Sequence, residues 1–136
     1  MALHSLIQQY NLYLQVLFLA LVFVSLGLKM QKKFRLHGIT MLVAVVLHLI
    51  SVIIVMIPSY ISLLPLIAEG ALNATSIIAL VHGIIGILTA VLAVWIVASW
   101  RLRQSLKYCA PKKNVMRATL ILWILAVIVA ILMYVV

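Results

Sequence analysis

Two histidines, His48 and His82, lie within apolar stretches of the sequence that are long enough to cross a membrane. A polar or ionisable side chain inside a membrane costs free energy unless it is paired, and it therefore marks a candidate functional site. If both stretches are helical, His48 lies about 14 Å and His82 about 10 Å from the same side of the membrane. These similar depths are compatible with a contact between the two imidazoles.

Three uncharged polar residues are expected at the same depth as the histidines. Asn11 and Gln15 are four residues apart in the first apolar stretch, so they share a face of a helix, and Ser51 lies about one turn from His48. We therefore predict one polar cluster that consists of His48, His82, Gln15, Asn11 and Ser51. It is expected in the half of the membrane that is remote from the basic loops.

Three ligand chemistries would use this cluster. Two neutral imidazoles from facing helices can be the axial ligands of haem b, with Gly83 and Gly86 leaving room for the macrocycle. They can also bind copper or zinc, although such a site usually needs a third ligand, for which His4, Glu69 or an amide is available. A histidine with Gln or Asn can bind a quinone carbonyl. Alternatively, the two histidines bond to each other or to the backbone and only stabilise the fold.

The composition indicates an integral membrane protein. Of the 136 residues, 68% are hydrophobic and 8% are charged, whereas soluble domains are nearer to about half and about a quarter. Four apolar stretches, residues 12–28, 38–57, 76–99 and 118–136, approach or exceed the roughly twenty residues that a membrane helix needs. We predict a single all-α domain, an antiparallel up-and-down four-helix bundle. Pro58 is expected to end the second span, and residues 58–75 to lie along the headgroups.

The basic residues are confined to two segments between the spans. Four lie in residues 29–35 and six in residues 101–117. Because Lys and Arg stay on the cytoplasmic side, we predict that these two loops are cytoplasmic and that both termini are outside. This clustering argues against a nucleic-acid partner, which would need a basic face on a soluble domain. His37, beside Arg35, is interpreted as an interfacial residue, and Trp95, Trp100 and the tyrosines as interface anchors.

The sequence contains little conventional catalytic chemistry. It has no Asp, Glu69 is its only acid, and Cys109 is its only cysteine. These counts exclude a pair of catalytic carboxylates, an Asp-supported triad and an intrachain disulfide. We therefore expect that the protein is not an enzyme.

Small residues form a stripe along the third span. The stripe consists of Ala79, Gly83, Gly86, Ala90 and Ala93, and its spacings of 4, 3, 4 and 3 place it on one face of a helix. Within lipid, small residues allow neighbouring backbones to approach closely. We predict that this stripe packs against a larger membrane protein complex.

Three short segments carry a resemblance to a known family. RLHG at the start of the second span, VHGIIG in the third and KKNVMRATLILW before the fourth resemble an uncharacterised prokaryotic four-helix membrane family that includes relatives of a cytochrome aa3 oxidase assembly factor. The resemblance covers residues 35–136 and implies a respiratory plasma membrane, with histidines near its outer surface that handle haem or metal. The chain departs from this pattern at Lys112 and Lys113, where the basic loop has no histidine. The paired histidines also resemble those of small transmembrane b-type cytochromes.

The leading hypothesis is a non-enzymatic accessory or assembly subunit of a respiratory membrane complex, with haem or a metal held between His48 and His82. One alternative is a minimal b-type cytochrome that exchanges electrons with quinone. Another is a purely structural subunit of a larger membrane complex, which would need neither histidine and would pack through the small-residue stripe.

Overall fold

The computed structural model describes residues 2–100 and 113–135, and this part of the chain is helical without a strand. The elements are α1 (Ala2–Met30), α2 (Phe34–Ser51), a π-helical segment (Val52–Met56), α3 (Ile57–Ala68), α4 (Ala74–Trp100) and α5 (Lys113–Val135). Four stretches are long and apolar enough to cross a membrane: Gln9–Met30, Phe34–Ala68, Ala74–Trp100 and Lys113–Val135. The prediction of an all-α protein with four such helices is confirmed, and the helices extend beyond the predicted spans.

Helices that follow one another in the sequence are also neighbours in space. α1 packs along α2, and α4 packs along α5, while smaller contacts of α2 with α4 and of α1 with α5 complete a bundle. The central apolar cluster contains Phe18, Val22, Ala44, Val45, Ala93, Trp123 and Val127. Every one of the four long helices therefore contributes to one core.

The bundle carries its polar groups inside and its large aliphatic groups outside. The buried polar residues are Gln15, Ser25, His48, Ser51, Ser76, His82, Thr89 and Thr119. By contrast, Ile84, Ile87 and Val91 form an outward face of α4 on which each side chain is at least 53% exposed. This distribution is unfavourable in water and is expected of a protein whose exterior faces hydrocarbon.

Pro58 does not end the second long helix, contrary to the prediction from the sequence. The helix runs from α2 through the π-helical segment into α3, over 35 residues. A proline inside a helix lacks an amide hydrogen, and its ring meets the carbonyl four residues earlier. Directly before Pro58, the amide of Ile57 bonds to the carbonyl of Val52, five residues back. This wider turn accommodates the proline, and the segment predicted to lie along the headgroups is helical as far as Ala68.

α1 ends at a residue with left-handed backbone geometry. Lys32 has a φ of 60°, its amide lies 3.0 Å from the carbonyl of Lys29, and the amide of Lys33 lies 2.9 Å from the carbonyl of Leu28. This pair of bonds is a Schellman motif, in which glycine normally takes the left-handed position. A side chain there costs about 1–2 kcal/mol. The turn that leads from α1 into α2 is therefore strained.

The turn between α3 and α4 is built from residues suited to it. Gly70 takes the left-handed position with a φ of 66°. Asn73 then caps α4, because its Oδ1 accepts hydrogen bonds from the backbone amide and from the hydroxyl of Ser76, both at 2.8 Å. The loop is short, and α4 begins directly after it.

Much of the small-residue stripe on α4, predicted to contact a larger membrane complex, packs inside this chain. A side chain at Gly83 would meet the ring of Tyr60, and one at Gly86 would meet the end of Met56, 2.9 Å away. Ala90 and Ala93 are buried as well. The close approach of backbones that the stripe predicts is therefore present, but it joins α4 to its own neighbours.

Trp100 is also placed differently from the prediction. It is 6% exposed, and its indole fills the space beside Gly38 on α2. It packs two helices together instead of anchoring one of them in the interface. Tyr60, another predicted interface anchor, bonds to α4, where its hydroxyl lies 3.0 Å and 2.8 Å from the carbonyls of Ala79 and Leu80.

Candidate functional site

Two cavities define the two ends of the bundle. Lys29, Lys113 and Arg117 line the first, and we call this end the basic end. Thr75 and Ser76, which follow the α3–α4 turn, line the second, and we call that end the far end. Of the polar residues predicted from the sequence, Asn11 and His82 line the far-end cavity, and His48 packs against Phe18 and Trp123 of the central core.

Asn11 and Ser51, two members of the predicted cluster, are in contact. The hydroxyl of Ser51 donates a hydrogen bond of 2.9 Å to Oδ1 of Asn11. The bond joins α1 to α2 at the depth where counting along the two helices places both residues. It satisfies a hydroxyl that would otherwise be buried among apolar groups.

Gln15 lies one turn along α1 from Asn11 and is almost completely buried, with 1% of its surface exposed. Its amide nitrogen Nε2 makes no hydrogen bond. A buried amide without a partner costs about 1–3 kcal/mol. Gln15 is therefore a costly residue that the fold alone does not explain.

His48 is enclosed by aromatic rings. Its centroid lies 6.2 Å from that of Phe18, edge to face at 89°, and 5.1 Å from that of Trp123 at 47°. The residue is 2% exposed, and neither ring nitrogen makes a hydrogen bond. The carbonyl of Gly86 lies close to the ring without meeting hydrogen-bond geometry. His48 is thus closely packed, but its two ring nitrogens have no hydrogen-bond partner.

The unsatisfied buried atoms of the described residues belong to three helices. They are Gln15 Nε2, His48 Nδ1, His48 Nε2 and Trp123 Nε1. Phe18, one turn from Gln15, touches His48, which in turn touches Trp123. Two of the unsatisfied side chains, His48 and Trp123, are therefore in contact, and Gln15 lies one turn from a third ring that touches His48. Native proteins leave few such groups, and each requires an explanation.

His82 is held by the backbone of α5. Its Nδ1 lies 2.9 Å from the carbonyl oxygen of Ala126, and because a carbonyl can only accept, Nδ1 carries the proton in this bond. In the neutral ring, Nε2 is then left with a free lone pair. This arrangement, one nitrogen donated to a carbonyl and the other left basic, is the usual support of a ligand-binding histidine.

His48 and His82 meet the same helix but do not bond to each other. His48 packs on Trp123, and His82 bonds to Ala126, one turn further along α5. Since neither nitrogen of His48 makes a hydrogen bond, no such bond joins the two rings. His82 lines the far-end cavity, whereas His48 is not among its lining residues.

The far-end cavity has a volume of about 290 Å³, at the lower end of the range for small-molecule sites. Polar side chains from every helix around it reach its wall: Asn11, Ser59, Tyr60, Ser62, Thr75, Ser76, His82 and Tyr134. Met56, Ala79, Ala130 and Met133 are among the apolar residues. The cavity thus offers a basic nitrogen and several hydroxyls in an otherwise apolar chamber.

A haem between the two histidines does not fit these side chains. The space that Gly83 and Gly86 were expected to leave is occupied by Tyr60 and Met56. The far side of His48 is closed by Phe18 and Trp123. The two glycines therefore do not leave the predicted room, because Tyr60 and Met56 of the second long helix pack against the face of α4 that carries them.

The described residues also lack a conventional metal site. No three His, Cys, Asp or Glu residues among them are grouped so as to hold an ion. Glu69, one of the suggested third ligands, is exposed where α3 ends. Several predicted features lie outside the described part of the structure: the side chain of His4, and Arg101, Arg103, Lys107, Cys109 and Lys112.

Two residues of the site were not predicted as such: Tyr60 was interpreted as an interface anchor, and Trp123 was given no role. Trp123 supplies a wall of the His48 environment, and Tyr60 supplies a wall of the far-end cavity. A signal for Trp123 exists in the sequence, since Thr119, Trp123, Ala126 and Ala130 follow helical spacing and are all buried. Nothing in the sequence indicates that Tyr60 turns toward α4.

Comparison of the chain with protein-family models, with curated proteins and with solved structures gives no match.

Proposed function

We propose that this protein is a non-enzymatic accessory or assembly subunit of a respiratory membrane complex in a prokaryotic plasma membrane, and that its far-end cavity binds the headgroup of a lipid-soluble quinol. The observation that carries the proposal is the state of His82. Its Nδ1 is held by Ala126 at 2.9 Å, which leaves Nε2 as a hydrogen-bond acceptor at the wall of the cavity. A quinol hydroxyl is the matching donor.

The chemistry of the rest of the cavity supports a headgroup of this kind. Hydroxyls of Thr75 and Tyr134 are available for the second oxygen of the ring, and the apolar part of the wall suits the ring itself. The respiratory setting is drawn from the sequence resemblance. The cytochrome alternative has less support, because Tyr60 and Met56 fill the space that a macrocycle needs.

The proposed orientation is the one predicted from the charges. The four long helices alternate in direction, the basic loops are cytoplasmic, and both termini are outside. Its test is a cysteine introduced at Ala71, in the exposed far-end turn, on a Cys109→Ser background. A membrane-impermeant maleimide should label intact cells. Labelling only after the membrane is opened would reverse the orientation.

The ligand is tested with two matched histidine variants. The protein is purified in lipid nanodiscs, and a short-chain quinol is titrated against the wild type, His82→Leu and His48→Leu. We expect His82→Leu to weaken binding at least tenfold and His48→Leu to leave it within about twofold, because only His82 lines the cavity. The two substitutions are chemically identical and concern buried residues, so an effect of simple apolar replacement would appear in both.

Three outcomes would contradict this ligand. A Soret band in the purified protein would restore the haem hypothesis, and stoichiometric copper or zinc would restore the metal hypothesis. Equal quinol binding by all three proteins would leave His82 as a residue that only joins α4 to α5.

The accessory role has its own test. Deletion of the chain should reduce the amount of one assembled respiratory complex on native gels, and the tagged protein should migrate with that complex or with its precursor. If the amounts of all respiratory complexes were unchanged after the deletion, the accessory role would be excluded. This result would not bear on the quinol site.

A further inference from the structure

The cavity at the basic end has no place in the proposed function. It has a volume of about 320 Å³ and lies where α1, α2, α4 and α5 meet. Most of its wall is apolar and includes Val22, Met41, Val97 and Leu120, and Trp123 also contributes. The size is that of a small-molecule site, and the apolar wall favours a hydrocarbon occupant.

Three cations belong to the same cavity. Lys29 comes from the last turn of α1, and Lys113 and Arg117 come from the start of α5. Lys113 and Arg117 are four residues apart, so they share one face of α5. Both side chains are exposed, and Lys29 is partly buried.

Two of these cations, Lys113 and Arg117, lie in an unfavourable electrostatic position at the start of α5. The start of a helix carries a partial positive charge that favours anions, and the first turn of α5 contains no acid. The only acid of the chain, Glu69, ends α3 at the far end. No carboxylate of the chain therefore balances the charge at the basic end. An anion from outside the chain would balance this charge.

His37 completes the wall of this cavity in a fixed position. Its Nδ1 lies 2.7 Å from the carbonyl oxygen of Ser25, and the hydroxyl of Ser25 donates to the carbonyl of His37 at 2.9 Å. This reciprocal pair joins α1 to α2 and leaves Nε2 as the ring atom that can meet a ligand. A further hydrogen-bonding group is thus held beside the three cations.

We infer that the basic-end cavity binds one anionic phospholipid, with its phosphate contacted by Lys29, Lys113 and Arg117 and part of an acyl chain between Val22, Met41 and Val97. Basic pockets between membrane helices recognise anionic headgroups in this way. A free phosphate would satisfy the cations and leave the apolar wall uncovered. A zwitterionic lipid would cover that wall and bring no net negative charge.

The test compares phosphatidylglycerol with phosphatidylcholine of the same acyl chains, added to delipidated protein and followed by native mass spectrometry. Phosphatidylglycerol should bind as one retained molecule, and phosphatidylcholine should not be retained. Lys113→Gln combined with Arg117→Gln should weaken retention roughly 30-fold, since each basic residue near an anionic headgroup contributes a factor of about five. The matched control is Lys32→Gln with Arg35→Gln, which removes the same charge from residues that do not line the cavity and should change retention less than threefold.

A second variant tests the apolar part of the site without changing any charge. Val97→Phe enlarges a side chain of the cavity wall and should reduce phosphatidylglycerol retention at least tenfold while the helical circular dichroism is unchanged. This variant decides the matter if the double Gln variant does not fold. Equal retention of the two lipids, an equal loss in both double variants, or full displacement of the lipid by millimolar inorganic phosphate would overturn the inference.

Discussion

The ring of Tyr60 on α3 occupies the space that a side chain at Gly83 would need on α4. The hydroxyl at the end of this ring lies 3.0 Å from the carbonyl of Ala79 and 2.8 Å from that of Leu80. Tyr60 therefore lines the far-end cavity and joins α3, the last part of the second long helix, to α4. This position of Tyr60 requires glycine at position 83, because a side chain there would overlap the ring.

Gly83→Ala should therefore destabilise the protein by about 1–3 kcal/mol, the usual cost of forcing extra volume into a packed interior. The matched control is Gly27→Ala, where a new Cβ meets nothing within 4 Å and where alanine should stabilise the helix by up to about 1 kcal/mol. Unfolding in mixed micelles measures both. Combining Gly83→Ala with Tyr60→Ala should remove most of the clash, and an additive double variant would show that Tyr60 is not its source.

Ser51→Ala should cost about 1 kcal/mol, because it removes the hydrogen bond of 2.9 Å to Asn11 within the membrane region. Ser59 is the control. Its hydroxyl bonds to the carbonyl of Val55 in its own helix and is exposed, so Ser59→Ala should be nearly neutral. A double-mutant cycle of Ser51→Ala with Asn11→Leu checks that the loss belongs to the pair, and a coupling energy near zero would contradict this assignment.

Lys32→Gly should stabilise the turn between α1 and α2 relative to Lys32→Ala by about 1 kcal/mol. Both variants lose the same charge, and only glycine relieves the left-handed geometry at a φ of 60°. Thermal unfolding in nanodiscs measures the difference. If alanine were equal to glycine, the turn would not hold this geometry in the membrane.

The two histidines should respond to substitution with opposite signs. His48→Leu removes two ring nitrogens that have no hydrogen bond, and it should leave the free energy of unfolding unchanged or raise it. His82→Leu removes the bond to Ala126 and should lower it by about 1 kcal/mol. Reversible unfolding of the ligand-free protein measures the change in the free energy of unfolding for each variant. Equal losses would indicate that His48 has a partner within the fold.

The number of helices and part of the polar cluster could be predicted because they follow from hydropathy and depth. Counting along α1 and α2 is enough to place Asn11 beside Ser51. The direction in which a membrane helix faces is harder to derive, since lipid and core are both apolar. For this reason the sequence identifies the stripe from Ala79 to Ala93 as a packing surface but does not identify its partner.

Pro58 shows a second limit of the sequence. A proline predicts the end of a helix whose backbone geometry is regular. Here a π-helical turn precedes the proline and makes room for its ring, so the helix continues. With the helix extended to Ala68, α3 reaches α4, and Tyr60 and Met56 enter the space that would otherwise suit a macrocycle. Because the sequence does not reveal that the helix continues to Ala68, it also does not reveal that this space is filled.

Because the polar residues lie inside and the aliphatic residues outside, the surface of the bundle can be redesigned without changing its interior. The aliphatic residues that face hydrocarbon, such as Ile84, Ile87, Ile121 and Ile128, are at least 53% exposed, while the hydrogen bonds that join the helices lie within. Glu and Lys in place of such residues would leave the internal contacts untouched. The same interior could then be carried by a version of the bundle that dissolves in water, where its two cavities could be studied without detergent.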